Sequence, residues 1–95
     1  MLLAVDCGNT NTVFALYSDD IQQAKWRIST EPKRCPDEYL VWLTQLMALK
    51  GIAVDRVSDI IIANVVPEVQ PKLMKLAQRG FGILPQVIGN EGIDL

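Results

Sequence analysis

Seven consecutive residues, Asp6-Cys7-Gly8-Asn9-Thr10-Asn11-Thr12, are of the types that phosphate chemistry needs. Gly8 has no side chain, so the backbone there can come close to a ligand. Successive N–H groups of a turn make a concave anion site. The hydroxyls of Thr10 and Thr12 add donors, and Asp6 adds a carboxylate at the rim. A carboxylate beside a phosphate cradle suits Mg²⁺, which keeps several waters and binds one or two carboxylates plus phosphate oxygens. The plainer alternative is that Asp6 and Asn9 only cap a hairpin turn, because Gly, Asn and Thr are ordinary turn residues. Asp6 itself weighs against that alternative. It interrupts the apolar run Leu2–Val5, where a charge costs free energy unless it is paired or bound to a metal.

The elements around this stretch must hold it in place. Leu2 to Cys7 reads as a buried strand, and Gly8 to Asn11 as a turn, since Gly and Asn tolerate positive φ. Thr12 to Tyr17 is a second strand, which makes an antiparallel hairpin with the first. Period two puts Asp6 and Cys7 on opposite sides of the sheet. Ser18-Asp19-Asp20 is another turn. Ile21 to Ser29 is a third strand, with Ala24, Trp26 and Ile28 on one face. After the polar loop Glu31–Cys35, Pro36 to Lys50 is the clearest helix. Its apolar stripe is Tyr39, Trp42, Leu43, Leu46 and Met47, and Gly51 stops it. The unbroken Ile60-Ile61-Ile62 within Val57–Val66 predicts a strand covered on both faces. A shorter helix from about Val69 or Pro71 to Arg79 buries Leu73, Leu76 and Ala77, and Gly80 ends it. Leu84 to Ile88 is a last strand, and Gly89 to Leu95 a loop. The order β-β-β-α-β-α-β predicts a mixed α/β sheet with helix cover. No final helix covers the last strand, which points to a truncated chain.

Composition narrows the function classes. The 95 residues are 49% hydrophobic and 21% charged, with a net charge of −2, so the chain is globular and has no electrostatic pull toward nucleic acid or an anionic membrane. With no histidine, a His-based triad or His metal site is excluded within it. Cys7 and Cys35 stand outside any CxxC, and two isolated cysteines fit a reducing cytoplasm. The N-terminus lacks the basic region of a signal peptide, and no apolar run approaches the roughly 20 residues of a membrane span. No GxxxxGK[ST] occurs. Gly80-Phe81-Gly82 follows a helix rather than a strand, so it is not a dinucleotide fingerprint.

Other residues have bland readings. Cys7 is a small buried filler. Tyr39 and Trp42 are core or dimer contacts, and Arg27 and Arg34 are solvated. Asp19-Asp20 is a hairpin tip, and Glu68 lies on the surface. Asn64, at the end of a central strand where ligands gather in α/β sheets, either lines a cleft or does not.

The sequence resembles the N-terminal part of the type III pantothenate kinases, a family that also carries a Baf regulator label. The likeness rests on Leu3-Ala4-Val5-Asp6-Cys7-Gly8-Asn9-Thr10-Asn11-Thr12, Trp26-Arg27-Ile28-Ser29-Thr30, Asp37-Glu38-Tyr39 and Ile61-Ile62-Ala63-Asn64-Val65-Val66-Pro67. These stretches run in family order over nearly the whole chain. Asp-x-Gly-Asn-Thr alone is common to the acetate kinase, sugar kinase, Hsp70 and actin superfamily. The resemblance implies a ribonuclease-H-like sheet of strand order 3-2-1-4-5, half of an actin-like ATPase fold. Residues 1–95 would be the N-terminal half of a kinase whose C-terminal half is absent. It implies ATP-dependent phosphorylation of pantothenate to 4′-phosphopantothenate, toward coenzyme A. Asp6, Cys7, Gly8, Asn9, Thr10, Asn11, Thr12 and Val13 match the family's first phosphate loop. There Asp6 helps hold Mg²⁺, and Gly8 to Thr12 cradle the ATP phosphates. Family members are homodimers that use a monovalent cation, K⁺ or NH₄⁺.

By the same resemblance, the family's catalytic aspartate lies beyond Leu95, together with the second phosphate loop, the pantothenate tyrosine and the adenosine pocket. One wall of an ATP site does not catalyse, so the parent protein is the enzyme and this piece alone is inactive. Two alternatives are another phosphotransferase of the superfamily, or a non-catalytic nucleotide-binding or regulatory module. No basic face or DNA-reading helix supports direct DNA binding. Cys35 stands where the family has Thr, which weakens the capping box with Glu38.

Overall fold

Strand β1, Leu2–Cys7, alternates between two environments. Leu3, Val5 and Cys7 are buried, Leu2 and Asp6 are exposed, and Ala4 lies between. A period of two with one covered face follows from the pleat. In the computed structural model, which describes residues 1–89, β1 pairs antiparallel with β2 (Asn11–Ser18) and β2 with β3 (Ile21–Ser29). The other edge of β1 pairs parallel with β4 (Asp59–Asn64), and β4 with β5 (Gln86–Gly89). The order β3-β2-β1-β4-β5 is the one the family resemblance implied. Gly89, expected to open a loop running to Leu95, ends β5 instead, and 90–95 lie outside the described residues.

The β2–β3 link is Asp19-Asp20, with φ of 51° and 66°. Two left-handed residues make the hairpin turn whose twist matches the strands, and Asp is among the few types that visit this region.

Helix α1, Pro36–Leu49, buries Tyr39, Leu43 and Met47 and keeps Trp42 and Leu46 half-buried. Phe14 of β2 sits 6.1 Å from the Tyr39 ring and 5.4 Å, edge-on, from Trp42. A fully buried side chain of this size contributes about 1.5–3 kcal/mol. At the C-terminus Gly51 takes φ 72°. Its N–H donates to Ala48 O at 2.9 Å, and the Ile52 N–H to Met47 O at 2.9 Å. This pair of bonds closes the last turn and needs a left-handed residue between helix and loop.

At the other end of α1 the Glu38 carboxylate accepts the Cys35 N–H at 2.9 Å. That bond first, then the Cys35 thiol and the charges of Arg34 and Lys72, hold the Glu38 carboxyl below its ordinary value against an opposing effect of desolvation. A group with a lowered folded pKa adds stability above its unfolded pKa, and this is lost as pH falls through the folded one. Between about pH 6 and about pH 3, the thermal midpoint is therefore expected to fall more steeply for the native sequence than for Glu38→Gln. Parallel slopes would remove Glu38 from the cap.

The second helical segment is less regular than expected. Pro67–Val69 is a 3₁₀ turn, α2 spans Gln70–Lys75, and Leu76–Gly80 widens into a π turn. Leu73, Leu76 and Ala77 are buried, as the pattern required. Gly80 lies inside this segment rather than after it, and a side chain there would run into Leu40 of α1. Strand β4 is shorter than the apolar run. A 3₁₀ turn at Val54–Arg56 precedes it, and the Asn64 side chain turns the chain away after it. Strand β5 begins after Pro85, which has no N–H to give the ladder.

The crossovers through α1 and α2 run the same way across the sheet, so right-handedness puts both helices on one face. The core lies there, with Leu3, Val5, Phe14, Leu16, Ile60 and Ile62 beneath the helices. The expectation that β4 is covered on both faces fails among the described residues. Ile60 and Ile62 are buried, but Ile61 points to the open side and is half-buried. Among the described residues no helix is long and apolar enough to cross a membrane.

Candidate functional site

Asp6 projects from the open face near the carboxyl end of β1 and is exposed. The burial cost argued from sequence is therefore relieved by solvent. Its register partners are Val13 on β2 and Ala63 on β4, neither of them charged. Among the described residues the Asp6 carboxylate makes no hydrogen bond or ion pair. Arg27, opposite Val13, stands two strands away, about 10 Å by strand spacing.

The turn beside Asp6 is closed by the Gly8 N–H donating to Asn11 O at 2.9 Å. None of its four residues has positive φ, contrary to the expectation from Gly and Asn. Two carbonyls of the turn point toward the end of β3. Thr30 Oγ1 donates to Gly8 O at 2.7 Å, and the Thr30 N–H to Thr10 O at 2.8 Å. Asn9, Thr10 and Asn11 are exposed, and among the described residues the N–H groups of Asn9 and Thr10 donate to no carbonyl.

Not every residue of the stretch faces outward. Cys7 and Thr12 are 1% and 0% exposed, so their side chains belong to the core. Thr12 Oγ1 lies 2.8 Å from Thr30 Oγ1 and 3.3 Å from Cys7 Sγ. The expectation of a ligand-facing Thr12 hydroxyl is corrected: only Thr10 offers one, and Cys7 and Thr12 can contribute backbone alone. Val13 sits half-buried beside Asp6 on the open face. The outward set is thus the Asp6 carboxylate, the Gly8–Asn11 backbone and the Asn9, Thr10 and Asn11 side chains.

The sequence model described as type III pantothenate kinase matches residues 2–95. The chain belongs to the type III pantothenate kinase family. It is 48% identical over 95 residues to the type III pantothenate kinase of Paramagnetospirillum magneticum, covering all of this chain and 36% of that protein. It is 52% identical over 89 residues to that of a Ruegeria species, covering 94% and 34%. The chain thus spans about a third of the length of the curated relatives it matches. In fold it is similar to a candidate N-acetylglucosamine kinase from Porphyromonas gingivalis, with TM-score 0.66 at 15% identity over 95% of this chain and 34% of that one.

Within this chain, other polar residues are structural. The Asn64 amide donates to Val66 O and Gln70 Oε1 and accepts the Val66 N–H, each at 2.9 Å. It fixes the turn into α2 and has little left for a cleft. Arg34 is not simply solvated. It donates to Ser29 O at 3.2 Å and lies 5.6 Å over the Tyr39 ring. Tyr39 is core, and burial pushes its phenol up despite the opposing charge of Arg34. A groove of about 480 Å³, lined by Ile28, Arg34, Asp37, Glu38, Val41 and Trp42, contains none of the residues of the phosphate stretch.

Among the described residues no three Asp, Glu, Cys or His side chains cluster into an all-protein metal cage. A single outward carboxylate beside free N–H groups fits a cation held mainly by phosphate oxygens and water. Thr30 closes the Trp26–Thr30 stretch of the family likeness, which implies no role for it. Its contacts depend on how the end of β3 registers against the turn, which local pattern does not reveal.

Proposed function

We propose that this chain is the N-terminal part of an ATP-dependent kinase that phosphorylates pantothenate, with Asp6–Val13 as its first phosphate loop. The observation that carries the reading is an exposed Asp6 carboxylate, without a protein partner among the described residues, beside a turn with unspent N–H donors. The Asn9 and Thr10 N–H groups would bind phosphate oxygens, and Asn9, Thr10 and Asn11 would orient them. Asp6 would hold Mg²⁺ through its carboxylate, directly or across water. Bound Mg²⁺ offsets charge on the phosphate chain of ATP. Phosphoryl transfer rests on positioning and charge stabilisation from both sides of the transferred group. The opposite wall, the residue that takes the pantothenate hydroxyl proton and the monovalent-cation site (K⁺ or NH₄⁺) belong to the remainder of the protein in this reading. A cytoplasmic homodimer is part of the same reading.

The test is a transfer assay on the full-length protein with ATP, Mg²⁺ and pantothenate. Formation of 4′-phosphopantothenate is expected. ATP-dependent transfer to another acceptor alone would move the chain to a different phosphotransferase of the superfamily, and absence of nucleotide binding would leave a regulatory module.

A further inference from the structure

The Gly8–Asn11 turn lacks the left-handed residues that usually shape so short a hairpin connection. The hydrogen bonds that reach its carbonyls from beyond the β1–β2 hairpin come, among the described residues, from one residue. We infer that Thr30 is a positioning residue for the phosphate loop, setting the direction in which the loop presents its N–H groups. This rests on the reading of Asp6–Val13 as a phosphate loop.

Thr30 holds two alternate carbonyls, Gly8 O through its hydroxyl at 2.7 Å and Thr10 O through its N–H at 2.8 Å. A trans peptide is planar, with its C=O and N–H pointing in opposite directions. Drawing Gly8 O toward Thr30 therefore aims the Asn9 N–H, one of the two unspent donors of the turn, away from it. Asn9 is exposed, and its N–H donates to no carbonyl among the described residues.

The hydroxyl contact has one consistent proton assignment. A hydroxyl has one hydrogen to give, and a carbonyl can only accept. Thr30 must therefore spend its proton on Gly8 O. In the 2.8 Å contact between the two hydroxyls Thr12 is then the donor. Thr12 is fully buried, so it anchors Thr30 to the core while Thr30 grips the turn. Without the Thr30 hydroxyl, Gly8 O keeps only a long 3.9 Å contact with Cys7 Sγ, and the Gly8–Asn9 peptide is held less firmly. Preorganised donors outperform donors that must be ordered on binding.

The test is made in the full-length kinase with Thr30→Val, which keeps the shape and the backbone N–H but removes the hydroxyl, and Thr30→Ser, which restores it. Thr30→Val is expected to raise KM for ATP about tenfold and leave KM for pantothenate within about twofold. Thr30→Ser is expected to return the ATP value to within about twofold of wild type. An unchanged KM for ATP in Thr30→Val, or equal increases for both substrates, would overturn the inference. If Thr30→Val fails to fold, Thr30→Ala is judged by the same criteria. A wild-type protein that binds ATP but does not phosphorylate pantothenate would sink the proposed reaction, and Thr30 would still be judged by ATP affinity in a direct titration. A wild type that binds no ATP would sink both.

Discussion

Asp6→Asn in the full-length protein, assayed for the proposed transfer, is expected to cut turnover by about 10²-fold or more while the thermal midpoint stays unchanged. The side chain keeps its size and loses its charge. Among the described residues no protein group depends on that charge, since Asp6 is exposed and its register neighbours are Val13 and Ala63. A surface substitution of this kind stays within about 0.5 kcal/mol of the native stability. The site, by contrast, loses its one outward carboxylate. Removing a single preorganised electrostatic contact to a transition state costs about 10²–10³ in rate. Turnover at different Mg²⁺ concentrations, with a melting curve for each protein, checks both halves. A variant with wild-type turnover removes Asp6 from the site.

Gly8→Ala separates ligand approach from folding even more sharply. A methyl group built on Gly8 meets only Asn11 O, at 3.4 Å, and Gly8 is not in the left-handed region. The fold accommodates it, and stability is expected to stay level or rise by about 0.4–1 kcal/mol as the unfolded chain loses freedom. Strand alternation puts the new methyl on the side of Asp6, where a phosphate would pass. A misplacement of about 1 Å at a reacting centre can cost about 10²-fold, and kcat/KM for ATP is expected to fall by about that factor. Steady-state kinetics beside a denaturant titration give the comparison. An unaltered kcat/KM would mean that nucleotide does not come close to Gly8.

The parts legible in the sequence were those fixed by neighbours along the chain. The period-two pattern of Leu2–Cys7, the stripe from Tyr39 to Met47 and the Pro36 and Gly51 signals located β1 and α1 within a residue. The strand order came from the family resemblance and agreed with the element order. What failed depended on the third dimension. The three isoleucines of β4 look alike in sequence, yet Ile61 faces the side without a helix. Gly80, the last residue of the π turn at Leu76–Gly80, packs against Leu40, forty residues earlier, where a side chain would not fit. Thr12 is a different case. It alternates with Phe14 and Leu16, so its inward direction was already written in the period of β2. Thr30 acts across eighteen or more residues of chain, and only the β2–β3 register brings it to Thr12 and Gly8.

The left-handed Asp19-Asp20 link stands at the opposite end of the β2–β3 ribbon from Gly8. Eight residues of strand β2, at about 3.4 Å each, separate the two ends by roughly 25 Å. A fluorophore or an affinity handle joined at this tip would report on nucleotide capture without crowding it. Flanking glycines would preserve the backbone handedness that an insertion there has to inherit.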